Sequence, residues 1–163
     1  MEIAHPAIAE ALRQFLTEES ERLSPRTLAT YREVVAHLTE SLEGEGHLSL
    51  DPDETTFWEP RWRQDREANS FCNTFGPDKI ADHVHRFLGD FPVGPERAPI
   101  AAAARVVKTL AAWLEEHGYW KPGEADGAVA AATAAARAQR RAAPPAREPP
   151  TSLEIQPAHG PGP

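Results

Sequence analysis

The sequence has a single cysteine, no long apolar run and few basic side chains, and these shortages exclude several classes of protein. Cys72 alone cannot form an internal disulfide or supply the paired thiolates of a structural zinc site, so packing must stabilise the fold. No run of about 18 apolar residues could form a transmembrane helix, and the first residues lack the pattern of a secretory signal. We therefore expect a cytoplasmic protein with no membrane partner.

The motifs of common catalytic and cofactor sites are also missing. The sequence contains no glycine-rich phosphate loop, no nucleophile elbow and no paired catalytic carboxylates. His83 and His85 could join Cys72 and Asp82 in a metal cluster, but two positions along a helix separate the histidines by about 200°. We predict no enzymatic activity, no metal and no small-molecule cofactor.

The net charge of −8 is unevenly distributed along the chain. Only the last third of the chain is basic: residues 101–150 contain seven bases and five acids. Because duplex DNA attracts proteins mainly through its phosphates, the negative total argues against strong non-specific DNA binding. It leaves room for a local basic patch.

Apolar residues recur at helical spacing through most of the sequence, which predicts an all-α fold of four to five helices without strands. The clearest helix begins at Ser24-Pro25, where serine caps the first turn and proline takes the first helical position. Gly44 is placed to end it in a left-handed conformation. The apolar stripe of this helix is Leu28, Tyr31, Val35, Leu38 and Leu42.

Other helices are predicted after His5-Pro6, from Asp78 to Phe91, and from about Ala98 to a stop at Gly118. Between residues 45 and 75 we expect a loop with short helices, since Pro52 and Pro60 interrupt any long helix. Burial is expected for the bulky aromatic residues of that stretch, Phe57, Trp58, Trp62 and Phe71.

Composition changes beyond Pro122, and we place a domain boundary there. Residues 1–122 are predicted to hold the core, and residues 123–163 an alanine-rich segment followed by a disordered proline-rich tail. Alanine has high helix propensity but offers no stripe of large side chains, so a frayed helix is expected at most. The proline-rich end cannot offset the entropy of ordering.

The segment from Leu23 to Leu38, LSPRTLATYREVVAHL, resembles the start of the N-terminal, SAM-like core-binding domain of tyrosine recombinases and phage integrases. One predicted helix precedes it and two follow. The stretch Ile100–Tyr119, IAAAARVVKTLAAWLEEHGY, is similar to the family's closing helix with its glycine-aromatic exit. The resemblance covers residues 7–120 and implies a small SAM-like helical fold.

In that family the domain is one jaw of a clamp around duplex DNA, and a separate C-terminal domain carries the chemistry. The resemblance therefore implies a non-catalytic DNA-binding module associated with DNA recombination or integration. It identifies phosphate-facing candidates around the motif helix and on the closing helix: Ser24, Arg26, Thr27, Arg32, Arg105 and Lys108. Given the acidic remainder, we expect weak binding to duplex DNA.

The sequence also contains a His-x-x-Arg pattern at His83 and Arg86, with Tyr119 downstream. These residue types occur in the recombinase active site, but here they fall on helices of the non-catalytic domain, and the accompanying Arg and Lys are missing. We interpret the pattern as coincidence.

Two alternatives remain open. A helical protein-interaction module that kept the fold and lost DNA affinity would account for the acidic surface and the tryptophan-rich stretch. A helix-turn-helix regulator could use LSPRTLATY as its recognition helix, although residues 17–23 make the connection longer than the usual turn.

Overall fold

The computed structural model describes residues 5–92 and 98–142. In these parts of the chain there are seven α-helices, one short 3₁₀ helix and no strand, which confirms the all-α prediction. The helices number more than the expected four to five because the tryptophan-rich stretch and the alanine-rich segment both form helices. They are α1 (Ile8–Ser20), α2 (Pro25–Glu45), the 3₁₀ helix (Gly46–Ser49), α3 (Pro52–Gln64), α4 (Phe71–Thr74), α5 (Asp78–Gly89), α6 (Ile100–Glu116) and α7 (Glu124–Ala142).

Helix α2 is central and packs against five other elements: α1, the 3₁₀ helix, α4, α5 and α6. All five residues of its predicted apolar stripe are buried, as is Val34. The predicted end of the helix was wrong, because Gly44 lies within α2 and has no positive φ. The C-terminal capping residue is Gly46, whose φ of −55° is also right-handed.

Gly46 is required by packing rather than by backbone conformation. A Cβ atom at this position would lie 2.6 Å from Cε1 of Phe71, whose side chain is fully buried. The backbone of α4 is tied to α2 by Glu43, whose carboxylate accepts hydrogen bonds from the amides of Phe71 and Cys72 at 2.9 Å each. The absence of a side chain at Gly46 therefore lets the phenyl ring of Phe71 pack against the end of α2.

The stretch between α2 and α5 is more helical than its sequence predicts. Asp51 and Glu54 form a capping box, with Oδ1 of Asp51 2.7 Å from the Glu54 amide and Oε2 of Glu54 3.0 Å from the Asp51 amide. Pro52 then occupies the first turn, and the 13-residue helix continues through Pro60. The expectation that Pro60 interrupts the helix is corrected. The carbonyl left without its usual donor belongs to Thr56, on the exposed side of α3, where water can bind it.

An aromatic cluster holds α3 against the core. Trp58 is buried, makes an edge contact with Phe71 and donates a 2.9 Å hydrogen bond to the carbonyl of Asn69. Trp62 packs beside it and is half-buried, so the expected burial is confirmed for Trp58 and Phe71 and in part for Trp62. Phe57 is the exception, because its ring is 50% exposed and lies under the guanidinium of Arg61.

The C-terminal part of the described core differs most from the prediction. Helix α6 ends at Glu116, and Gly118 closes its C-terminus with φ +72°, as expected. The chain then turns back, and α7 packs along α6 and α5 with Ala128, Ala131 and Ala132 buried. The core therefore extends past Pro122, which corrects the expected boundary.

Small side chains explain this packing. Alanine lets two helix backbones approach closely, so burial does not need a stripe of large residues. The predicted disordered tail falls mainly on residues 143–163, which lie outside the described residues. No helix in the described parts is long and apolar enough to span a bilayer.

Candidate nucleic-acid interface

The cap predicted at the start of the motif helix is present. The Ser24 hydroxyl accepts a 3.3 Å hydrogen bond from the Thr27 amide, and the two hydroxyl oxygens lie 2.9 Å apart. Ser24 is exposed and Thr27 half-buried. Both candidates thus stabilise the first turn of α2, while their oxygens stay at the molecular surface.

A hydrogen-bonded relay connects this helix to the basic turn of α6. The Thr109 hydroxyl donates to the carbonyl of Arg105 at 3.1 Å, so the hydroxyl of Tyr31, 3.2 Å away, donates to Thr109. Tyr31 is buried and stacks against Phe15 of α1. The relay fixes the motif helix beside the turn that carries Arg105 and Lys108.

Arg105 and Lys108 lie three residues apart on α6, the first exposed and the second half-buried. Within the described part of the chain, neither makes an ion pair, and the same is true of exposed Arg26 on α2. Residues 98–114 contain both cations and no acid. This stretch of α6 is a locally basic surface in an acidic protein.

Two nearby acids are engaged elsewhere. Glu33 accepts a 3.0 Å hydrogen bond from the Ala98 amide, before the start of α6. Glu115 accepts hydrogen bonds from the amides of Gly123 and Ala125 at 3.1 Å each. Their carboxylates are therefore held by backbone donors rather than by the free cations.

Arg32 lies on a different side of α2 from Arg26. It is six residues from Arg26, which separates the two by about 120° around the axis of α2. Its side chain lines an open groove of about 470 Å³ between α1 and α2, together with Arg13. The structure brings Arg105 and Lys108 together next to the motif helix, and it directs Arg32 toward α1.

The His-x-x-Arg residues and the tyrosine each have a structural contact. His83 is buried, with Nε2 2.7 Å from the Ser41 hydroxyl, and burial lowers its pKa. Arg86 forms an ion pair with Glu45 at 3.5 Å, and the Tyr119 hydroxyl donates to Oε1 of Gln14 on α1 at 3.1 Å. In the described residues, no group of three or more His, Cys, Asp or Glu side chains is arranged to hold a metal ion.

The connection between α1 and α2 is shorter than the sequence suggested. Helix α1 runs to Ser20, so only residues 21–24 separate the two helices, a length compatible with a helix-turn-helix. The position of α2 argues against that motif, because a recognition helix must be free to enter the major groove. Helix α2 instead packs against five other elements and keeps only one face exposed.

Three further arginines were not among the predicted site residues. Arg137, Arg140 and Arg141 are exposed in the last turns of α7. The basic character of residues 101–150 could have indicated these arginines from the sequence. Their position beside α6 could not be predicted, because it depends on how α7 packs.

No protein-family model, curated protein or solved structure matches this chain. The resemblance to a recombinase core-binding domain therefore remains a prediction from the LSPRTLATY motif and the helix order.

Proposed function

We propose that this protein is a non-catalytic module that binds duplex DNA weakly through its backbone, in the manner implied by the resemblance to recombinase core-binding domains, and acts in DNA recombination or integration. The observation that supports this most is the acid-free stretch 98–114, which contains most of α6, with Arg105 and Lys108 both free of ion pairs to described residues. Arg26, on the motif helix, is the third cation of the proposed contact.

Phosphate contact is the chemistry that these side chains offer. Lysine and arginine neutralise phosphates and release counterions, a contribution that does not depend on base sequence. The Tyr31–Thr109 hydrogen bond supports the proposal because it fixes the turn of α6 that carries Arg105 and Lys108 beside α2. The acidic remainder of the surface repels DNA, so we expect measurable affinity only at low salt.

The proposed function includes no cleavage or joining of DNA by this protein. A phosphotyrosyl intermediate needs a tyrosine surrounded by cations that stabilise the phosphate. Tyr119 donates its hydroxyl hydrogen to Gln14, and His83 is buried against Ser41.

The test is fluorescence anisotropy with a labelled duplex from 25 to 200 mM salt. Three contacting cations predict a log-log salt slope of about −2.7 or steeper, and the double variant Arg105→Gln/Lys108→Gln should flatten the slope by about 1.8. The matched control is Arg61→Gln/Arg63→Gln on α3, which removes the same charge from exposed positions. Its slope should equal that of the wild type.

Absence of binding by the wild-type protein at 25 mM salt would refute the proposal. Equal effects of the α6 and α3 variants would also refute it, because affinity would then follow net charge rather than a defined surface.

A protein-interaction module is the second candidate, and the groove between α1 and α2 favours it. Its floor includes the buried side chains of Leu12 and Val35, and Arg13 and Arg32 lie along it. Such a surface suits an apolar segment flanked by acids. A protein that fails to bind DNA at 25 mM salt would be better described by this function.

A further inference from the structure

The C-terminal half of α7 carries a second set of cations that neither the motif nor the resemblance includes. Arg137, Arg140 and Arg141 are exposed, and within the described residues none of them makes an ion pair. Residues 127–142 contain these three bases and no acid. The acids of α7, Glu124 and Asp126, are confined to its first turn.

Helices α6 and α7 form an antiparallel hairpin. The turn between them is fixed by Gly118 and Gly123, both with positive φ, and by the Glu115 carboxylate, which accepts from the amides of Gly123 and Ala125. The helices have 17 and 19 residues, and so lengths of about 26 and 29 Å at about 1.5 Å per residue. Because the lengths match, the last turns of α7 return to the end of the hairpin where α6 begins.

The buried face of α7 is built from small residues. Ala128, Ala131 and Ala132 of α7 are buried, and α6 contributes Ala104 and Ala111 to the same core. Interaxial distances for such packing are at the short end of about 8 to 10 Å. Close packing therefore places the arginine-bearing turns of α7 directly beside the N-terminal half of α6.

The distribution of charge separates the two ends of the hairpin. The end with the turn holds the acids Glu115, Glu116, Glu124 and Asp126. The remainder of both helices, residues 100–114 and 127–142, holds five bases and no acid. A polyanion approaching the hairpin is attracted to this acid-free part and repelled from the turn.

We infer that Arg137, Arg140 and Arg141 extend the phosphate-binding surface from α6 onto α7, so that duplex DNA meets six cations rather than three. The inference rests on the proposed function and adds a second helix to it. A purely structural role is the competing explanation, because arginines in the last turn of a helix also interact favourably with the helix dipole. Such a role would not change the salt dependence of DNA binding.

The salt dependence distinguishes these explanations. Six phosphate contacts predict a slope of about −5.4 and three predict about −2.7, so affinity should fall about 1,800-fold rather than about 40-fold between 50 and 200 mM salt. The test variant is Arg137→Gln/Arg140→Gln/Arg141→Gln in the full chain. Its slope should be flatter than that of the wild type by about 2.7.

The matched control is Arg61→Gln/Arg63→Gln/Arg66→Gln, which removes three exposed arginines from α3 and its C-terminal flank. Circular dichroism and the melting temperature establish that each variant is folded. A flatter slope in the α7 variant, with the control unchanged, supports the inference.

The outcomes that overturn the inference separate it from the proposed function. If the wild type binds and the α7 variant keeps its slope, the inference is wrong and the α6 site stands. If the wild type does not bind at 25 mM salt, both are wrong. If the α3 control flattens the slope as much as the α7 variant, binding follows net charge and both sites are rejected.

Discussion

Gly44 and Gly46 lie two residues apart at the end of α2 and should respond to substitution in opposite directions. Both have right-handed backbone conformations, so alanine is allowed at each by φ. A Cβ atom at Gly44 would meet nothing within 4 Å, whereas one at Gly46 would lie 2.6 to 2.8 Å from three atoms of the Phe71 ring. The surrounding space, rather than the backbone, decides the sign of the effect.

The magnitudes follow from this geometry. Ordinary van der Waals contact begins at 3.4 Å, so the ring would have to move by roughly 1 Å. Phe71 is fully buried and packs against Phe75 at 4.8 Å between ring centroids, which leaves it little room. Overpacking of this kind costs about 1 to 3 kcal/mol, so Gly46→Ala should lower the free energy of unfolding by that amount. Gly44→Ala should raise it by about 0.5 to 1 kcal/mol, as in an exposed helix interior.

Urea unfolding monitored by circular dichroism measures both changes, and the corresponding shifts in melting temperature are about 4 °C per kcal/mol. A stabilised Gly46→Ala protein would refute the close approach of Phe71 to α2. A destabilised Gly44→Ala protein would show that the helix ends at Gly44, as its sequence first suggested.

Three other predictions test the remaining parts of the structure. A chain ending at Gly123 should melt more than about 8 °C below the wild type, since loss of three buried alanine methyl groups alone costs about 2 kcal/mol, whereas a chain ending at Ala142 should melt normally. Burial lowers the pKa of His83 in the folded state, so the unfolded state takes up a proton first and the free energy of unfolding should fall as the pH drops below about 6.5. Urea unfolding at pH 7.5 and 5.5 should show a smaller fall for His83→Gln, and an equal fall would contradict this assignment. The wild-type protein should give no covalent product with a suicide DNA substrate, and a product that disappears in Tyr119→Phe would show that the tyrosine is catalytic.

The helices that could be predicted are those with strong local signals. Ser24 and Pro25 specify the start of α2 through a side-chain cap and a fixed φ, and the stripe that follows is continuous. Gly118 ends α6 because glycine adopts the left-handed conformation at low cost. In each case the information lies within a few residues of the feature it specifies.

The errors arose where distant contacts outweigh local preference. Pro60 disfavours a helix interior, yet α3 continues through it because Trp58 holds the helix to the aromatic cluster. Gly44 looks like a helix end, but the helix continues to Glu45 and the packing requirement falls on Gly46.

Part of the candidate site could likewise be predicted from the sequence, and part depended on the tertiary structure. The sequence alone predicted the helix that carries Arg105 and Lys108, and the resemblance identified both as phosphate-facing candidates. Only the tertiary structure decided that these cations lie next to α2, that Arg32 faces the α1 groove, and that α7 returns its arginines to the start of α6. The alanines of α7 show the physical reason: a methyl group carries no strong preference for burial, so the shape of α5 and α6 determines whether that helix belongs to the core.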